Sequence, residues 1–173
     1  MAAIFIETSI LIHDFFYRQP EFFPADKISS EAAQQEMEAF REEIHVDMLR
    51  LSMEDKLRVG TSAAIIQRFA AILDEYKIPV ETAREEVSYL LSNYKIDAVK
   101  QADLCAALEA PEYSSLPPAL AMLKQYMQQH KYTHIYTCQL WPAAALLPFV
   151  KLTPGMVAHF ISSNINNAAN ADS

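Results

Sequence analysis

Glu7 is the first residue in the chain whose type and position suit chemistry at a sheet edge. It follows a short apolar segment, Ile4–Ile6, and precedes a helical pattern that begins near Thr8. At the carboxyl end of a parallel strand, a carboxylate lies where ligand sites of α/β proteins gather. The same position also suits a structural acid, because the helix dipole stabilises a negative charge at a helix N-terminus. The local sequence leaves both interpretations open.

The histidines and cysteines show no spacing typical of a metal site or a catalytic pair. His134 and Cys138 fall on one predicted strand, where four residues at about 3.3 Å each separate them by about 13 Å. His13 and Asp14 are neighbours on a predicted helix and therefore face different directions. Cys138 is expected near the sheet edge. Cys105 falls on an apolar helical face and is predicted to be a core residue.

Glycine is scarce, with Gly60 and Gly155 alone among 173 residues. A dinucleotide-binding fingerprint needs three closely spaced glycines, and a P-loop needs two glycines followed by lysine. A serine-nucleophile elbow needs a glycine on each side of the serine. The sequence excludes all three motifs. Because many turns with positive φ rely on glycine, a hairpin-rich all-β fold is also disfavoured.

The charge balance is acidic, with 22 acidic and 14 basic residues and a formal net charge of −8. Proteins that bind duplex DNA need a basic patch for the phosphates, and the sequence has no cluster of lysine and arginine. A DNA duplex is therefore not expected as a partner. No apolar run has the length of a membrane span, and the N-terminal segment lacks the basic region of a signal peptide. We expect a cytoplasmic protein without a membrane partner.

The elements that must position these residues alternate between short apolar strands and amphipathic helices. Strands are predicted at Ile4–Ile6, Arg58–Thr61, His134–Thr137 and Phe149–Leu152. Helices are predicted to begin near Thr8 or Ser9, Ser29 or Ser30, Ser62, Pro79, Asp97 and Pro118. Short apolar strands separated by helices predict an α/β fold with a parallel sheet and helical crossovers.

The longest helical pattern, at about residues 28–57, combines one narrow apolar stripe with an acidic back. The stripe consists of Ala33, Met37, Phe40, Ile44, Met48 and Leu51, and the acids are Glu36, Glu38, Glu42, Glu43 and Asp47. This pattern predicts a helix packed on the core with a solvated acidic face. A partner-binding or dimerising helix is the alternative. Residues 1–155 are predicted to form a single domain, and the Asn-, Ala- and Ser-rich tail, 162–173, to be disordered.

The order and spacing of these segments resemble those of PIN domains. Ile4–Ile12 resembles their opening, in which a buried strand ends in Asp-Thr-Asn/Ser before an apolar helix. Gly60–Gln67 is similar to their second strand and the helix that normally carries a glutamate. Leu116–Ala121 and Tyr136–Gln139 resemble the segments that read Asp-Ala-Leu and Thr-x-Asp in the family. The resemblance covers most of residues 3–153. It implies a three-layer α/β/α fold with a short central parallel sheet and an inserted long helix.

PIN domains are typically ribonucleases that depend on Mg²⁺ or Mn²⁺. Three or four carboxylates at the sheet edge hold the metal, which activates water. The resemblance places Glu7, Gln67, Pro118 and Gln139 at the positions of the family's acids, and Glu7 alone among them is acidic. Neutral side chains do not replace the missing charge. The resemblance therefore implies a nuclease site that has been lost or weakened.

Two functions follow from this resemblance. The first is a PIN-like domain without nuclease activity that serves binding or assembly, with a protein partner or a second copy of the chain and without a cofactor. The second is a divergent, toxin-like endoribonuclease that binds RNA and takes Mg²⁺ or Mn²⁺ at Glu7, helped by Asp14 or Glu112. An acidic inserted helix repels RNA and favours the first function. An unrelated α/β or helical domain is a third possibility, and it predicts that strands are absent at Ile4–Ile6 or His134–Thr137.

Overall fold

The computed structural model describes residues 1–24, 30–54, 56–138, 149–150, 157, 160, 161 and 163. Its strands are β1 (Ala2–Ile6), β2 (Leu57–Ser62), β3 (Lys95–Asp97), β4 (His134–Tyr136) and β5 (Phe149–Val150). Its helices are α1 (Thr8–Arg18), α2 (Ser30–Glu54), α3 (Ala63–Glu75), α4 (Val80–Asn93), α5 (Gln101–Glu109) and α6 (Pro118–Gln129). The strands form one parallel sheet in the order β3-β2-β1-β4-β5. The predicted α/β class is confirmed.

Strand β1 lies at the centre of this sheet. Phe5 is in register with Gly60 of β2 on one side and with Ile135 of β4 on the other. The chain moves outward from β1 through β2 to β3, and then crosses to the opposite side for β4 and β5. The direction of winding therefore reverses between β1 and β4. In open α/β sheets, the crevice at the carboxyl ends of two such strands is the usual place for a ligand site.

Helices cover both faces of the sheet. Successive side chains of a strand point to opposite faces, so Ile4 and Ile6 of β1 pack into a core with helices α1 to α4. Phe5 faces the other way and packs with Leu120 and Met127 of α6. Helix α5 packs beside α6. The result is the predicted three-layer α/β/α arrangement. Burial on both faces explains why β1 is a continuous apolar run.

The long helix α2 buries most of the predicted apolar stripe, including Met37 and Phe40. Its acidic residues are not all solvated, however. The hydroxyl of Tyr136, a fully buried residue of β4, donates a 2.7 Å hydrogen bond to the carboxylate of Asp47. Burial opposes ionisation of Asp47, but the hydrogen bonds from Tyr136 and Arg50 outweigh it and lower the pKa of that carboxyl. The prediction that Asp47 belongs to a solvated acidic face is wrong, because Asp47 joins α2 to the sheet.

The region around Asp97 departs from the prediction. Lys95–Asp97 forms the edge strand β3, whereas a helix was predicted to begin at Asp97. Helix α5 begins four residues later, at Gln101, and buries Ala107. Cys105 is exposed, so its prediction as a core residue is wrong. The physical reason is that α5 packs on α6 through the side that carries Leu104 and Ala107, and leaves its predicted apolar face in solvent.

Several predictions fall on parts of the chain that the structure does not describe. The strand at Phe149 is confirmed as far as Val150, and Lys151 and Leu152 lie outside the described residues. Gly155 and, apart from Ser163, the tail from 162 to 173 lie outside them as well. Within the described part of the chain, none of the helices has the length and apolar character needed to cross a membrane.

Candidate functional site

Glu7 ends the central strand and caps the first helix. Its backbone N–H donates to the carbonyl of Tyr136 at 3.1 Å, which continues the β1–β4 pairing one residue beyond the strand. The backbone of Glu7 is extended, and its side chain accepts a 3.0 Å hydrogen bond from the N–H of Ser9. Glu7 is therefore the N-cap of α1, where Thr8 or Ser9 was predicted. Its side chain is removed from water, with 4% of the residue exposed.

Hydroxyl groups from both sides of the crevice converge on the Glu7 carboxylate. Oε2 accepts hydrogen bonds from Ser9 Oγ at 2.5 Å and from Thr137 Oγ1 at 3.0 Å, in addition to the Ser9 N–H. Ser9 Oγ in turn accepts a 2.8 Å hydrogen bond from the N–H of Cys138. We call these four residues the Glu7 network. It joins the end of β1 to the end of β4, at the point where the winding of the sheet reverses.

Burial dictates how such a network must be built. A carboxylate removed from water loses several kcal/mol of hydration unless protein donors replace it. Hydrogen bonds to charged groups are worth roughly 1.5–3 kcal/mol each, so three donors on Oε2 provide much of that compensation. The hydrogen-bond donors that compensate the Glu7 carboxylate thus come from the chain itself, from Ser9 and Thr137.

The resemblance to PIN domains singles out Gln67, Pro118 and Gln139 beside Glu7, and the two of these that the structure describes differ from Glu7 in burial. Gln67, in the second turn of α3, is exposed, and so is Pro118 at the first residue of α6. Neither belongs to the Glu7 network. Gln139 lies outside the described residues. Thr137, by contrast, is part of the network. The resemblance singles out Gln139 in this segment and gives no role to Thr137.

Asp14, the acid expected to assist Glu7, is engaged elsewhere. It lies seven residues further along α1, about 10 Å at 1.5 Å per residue. Its carboxylate forms ion pairs with Arg18 at 2.8 Å and with Arg41 of α2 at 3.5 Å. Arg18 also binds both carboxylate oxygens of Glu86 on α4, at 2.9 and 2.6 Å. Burial disfavours the charge on Arg18, but these two acids outweigh burial and raise its pKa. The carboxylate of Asp14 therefore joins α1 to α2 through its ion pair with Arg41.

Glu112, the alternative assisting acid, is exposed in a short 3-10 turn, Pro111–Tyr113. Within the described ranges, no group of three or more His, Cys, Asp or Glu side chains has the geometry to hold a metal ion.

Glu36 is a site residue that the sequence interpretation missed. It was assigned to the solvated acidic back of α2, yet it is half-buried, and its Oε1 accepts a 2.7 Å hydrogen bond from the N–H of Val157. It also lies close enough to Cys138 to act on its thiol. Burial raises the pKa of Cys138, and the negative charges of Glu7 and Glu36 raise it further. The thiol is thus protonated at neutral pH and unsuited to nucleophilic attack.

A signal for Glu36 was present in the sequence. Glu36 lies three residues after Ala33 and four before Phe40, which are two buried members of the stripe. Residues three and four apart share one face of a helix, so this spacing places Glu36 on the inward side.

His13 is a second polar residue buried beside the sheet. It is 2% exposed, its ring lies 4.0 Å from the ring of Phe40, and its Nε2 has no hydrogen-bond partner. Burial lowers its pKa to about 3. The imidazole is therefore neutral at physiological pH. It packs between α1 and α2 as an uncharged ring.

The chain matches no known protein family, no curated protein and no solved structure. The site must therefore be interpreted through its own chemistry. It contains one buried carboxylate bound by hydroxyl and backbone donors, one protonated thiol, and a second carboxylate that accepts a backbone N–H. In this arrangement, the polar groups hold chain segments together.

We predict that Ser9→Ala lowers the free energy of unfolding by about 1–3 kcal/mol, because the buried Glu7 carboxylate loses a donor and the Cys138 N–H loses its acceptor. Urea denaturation measures this change. The matched control is Ser92→Ala on α4, where an exposed hydroxyl bonds within its own helix. That variant should stay within about 0.5 kcal/mol of the wild type. Equal effects of the two substitutions would contradict a structural role for the network.

The buried His13 predicts a pH dependence of stability. Its pKa is about 3 in the folded chain, against 6.5 for an unperturbed histidine. Between these values the unfolded chain binds a proton that the folded chain does not. Stability must therefore fall as the pH drops below about 6.5, by up to about 1.4 kcal/mol per pH unit. We expect His13→Phe to reduce this slope between pH 7 and 5. A slope in His13→Phe equal to that of the wild type would show that His13 is protonated as readily in the folded chain as in the unfolded chain.

Proposed function

We propose that the protein is a PIN-like domain that has lost the family's metal-dependent nuclease site and acts as a binding or assembly module. The observation that carries this proposal is the Glu7 network. Glu7 is the one acid at the four family positions, and its carboxylate already accepts hydrogen bonds from Ser9 and Thr137. Through these hydrogen bonds, Glu7 stabilises the sheet edge.

The requirements of the metal support the proposal. Mg²⁺ and Mn²⁺ take oxygen ligands and need anionic charge to offset their lost hydration. Binding at Glu7 would require the carboxylate to give up hydrogen bonds that compensate its burial. Gln67 and Pro118 offer no charge, and Asp14 is neutralised by Arg18 and Arg41. Among the four family positions, an ion entering here would therefore meet one anion, Glu7, whose carboxylate already accepts hydrogen bonds from Ser9 and Thr137.

The surface of α2 supports a binding role. Val46, Leu49 and Met53 are 59%, 55% and 81% exposed. They are three and four residues apart, so they form a second apolar stripe on the side of α2 that faces away from the core. We call these three residues the outer stripe. Large apolar side chains aligned in this way are typical of a helix that packs against another helix. We infer that the outer stripe contacts a protein partner or a second copy of the chain.

A divergent endoribonuclease is the second candidate, and one observation favours it. Glu36 of α2 supplies a carboxylate close to Cys138 and so to the Glu7 network, from outside the family's set of acids. In this alternative, Glu7 and Glu36 together bind Mn²⁺ or Mg²⁺ and activate water against an RNA phosphodiester.

Calorimetric titration with Mn²⁺ and a single-stranded RNA cleavage assay distinguish the two candidates. We expect no saturable binding of Mn²⁺ and no RNA cleavage by the folded wild-type protein, because Glu7 is already satisfied. Saturable Mn²⁺ binding that disappears in both Glu7→Gln and Glu36→Gln, together with RNA turnover, would establish the nuclease and refute the proposal. The exposed Glu38→Gln, two residues along α2, is the matched control and should behave as the wild type does.

Light scattering tests assembly through the outer stripe. We expect the wild-type chain to self-associate, more strongly at 0.5 M than at 0.05 M salt, because salt screens the repulsion between copies that each carry a net charge of −8. The double variant Leu49→Glu/Met53→Glu should be monomeric with an unchanged circular dichroism spectrum. Leu108→Glu introduces a charge at another exposed apolar residue, on α5, and should not alter association. A wild-type monomer under all conditions would exclude a second copy as the partner.

A further inference from the structure

A cavity of about 210 Å³ lies between α1, α2 and α4, beside the end of β1. Its walls combine polar side chains, His13 and His45 among them, with apolar and aromatic ones: Ile10 from α1, Phe40 and Ile44 from α2, and Tyr89 and Tyr94 from the α4 region. An apolar cavity of roughly 150 Å³ is large enough for benzene. This cavity accommodates one aromatic ring with a small substituent.

The lining of the cavity includes a polar residue that the chain does not satisfy. His13 is almost completely buried, and its Nε2 forms no hydrogen bond. A buried polar atom without a partner destabilises the folded chain, because the hydrogen bond that it made to water is not replaced. The apolar and aromatic lining residues named above provide contact surface, and none of them has a buried polar atom without a partner. A molecule that fills the cavity and brings one hydroxyl or amine group to His13 would satisfy this nitrogen.

The charged groups around the cavity are already paired with one another. Asp14 and Arg41 both line it, and they form an ion pair at 3.5 Å. The guanidinium of Arg41 also lies 4.5 Å from the ring centre of Tyr17, and that of Arg18 lies 4.8 Å from the ring centre of Tyr89. A charged ligand would have to break these contacts. A neutral ligand leaves them intact.

We propose that this cavity is a binding site for a small neutral aromatic molecule with a single hydroxyl or amine group, recognised by apolar contact and a hydrogen bond to His13. The site is separate from the Glu7 network and does not depend on the function proposed above. Phe40 and Tyr94 supply aromatic surface for the ring, and the unpartnered nitrogen of His13 selects for the polar substituent.

The test uses two probes of nearly equal shape, p-cresol and p-xylene. In p-cresol, a hydroxyl group replaces one of the two methyl groups of p-xylene. Binding to the full chain is followed by the saturation of amide chemical shifts in ¹H–¹⁵N NMR. We expect both probes to bind, and p-cresol to bind about three- to tenfold more tightly, which is the usual contribution of one hydrogen bond. In the wild type, nuclear Overhauser contacts should connect p-cresol to the ring protons of Phe40 and Tyr94.

Two variants separate the hydrogen bond from the cavity. His13→Phe keeps an aromatic ring and removes the nitrogen, so it should bind the two probes with equal affinity. Ile44→Trp fills the cavity from its half-buried position on α2 and should abolish binding of both. Leu108→Trp adds the same ring at an exposed site on α5 and should bind as the wild type does.

Several results would overturn the proposal. These are the absence of saturable shifts in the folded wild type, equal affinity of the wild type for the two probes, and binding by Ile44→Trp that matches that of Leu108→Trp. If Ile44→Trp does not fold, the nuclear Overhauser contacts in the wild type decide the location. Contacts to residues outside the cavity would then refute the assignment.

Discussion

The need to satisfy one buried negative charge organises the carboxyl edge of this sheet. Glu7 lies at the end of the central strand, where water is excluded, and an uncompensated carboxylate there would cost several kcal/mol. Ser9 and Thr137 compensate it, and Ser9 also accepts the N–H of Cys138. The start of α1 and the end of β4 are thereby fixed to one oxygen atom. These hydrogen bonds hold the two sides of the crevice between β1 and β4 together.

The long helix α2 uses its acids in a comparable way. Asp47 accepts the hydroxyl of the buried Tyr136, and Glu36 accepts the N–H of Val157. Both partners are distant in the sequence, so each bond closes a long loop of chain. Phe40, on the same helix, packs against His13. A helix that packed only through its apolar stripe would have a less precisely defined position along that stripe. Polar bonds of defined length at Glu36 and Asp47 fix its register against the sheet.

The sequence predicts those parts of the fold that depend on local pattern. The continuous apolar run of β1 indicates a strand buried on both faces, and the three- and four-residue spacing of α2 indicates its inward side. Strand β3 was not predicted, because Lys95–Asp97 is short and polar and shows no strand pattern. It forms a strand by pairing with β2. Glu7 is identifiable at a strand–helix junction, but Thr137 is not identifiable as its partner. The two residues are 130 positions apart, and their contact depends on the strand order.

The Glu7 network also accounts for an acid at the end of β1 without any metal ion. In a metal site of several carboxylates, the cation offsets their mutual repulsion, and removing one acid weakens metal binding. In this chain the donors surrounding Glu7 are hydroxyl and backbone groups. If the carboxylate were replaced by an apolar side chain, the buried Ser9 and Thr137 hydroxyls would lose their acceptor. The folding requirement alone is thus sufficient to retain Glu7. It does not apply to Gln67 or Pro118, because both residues are exposed.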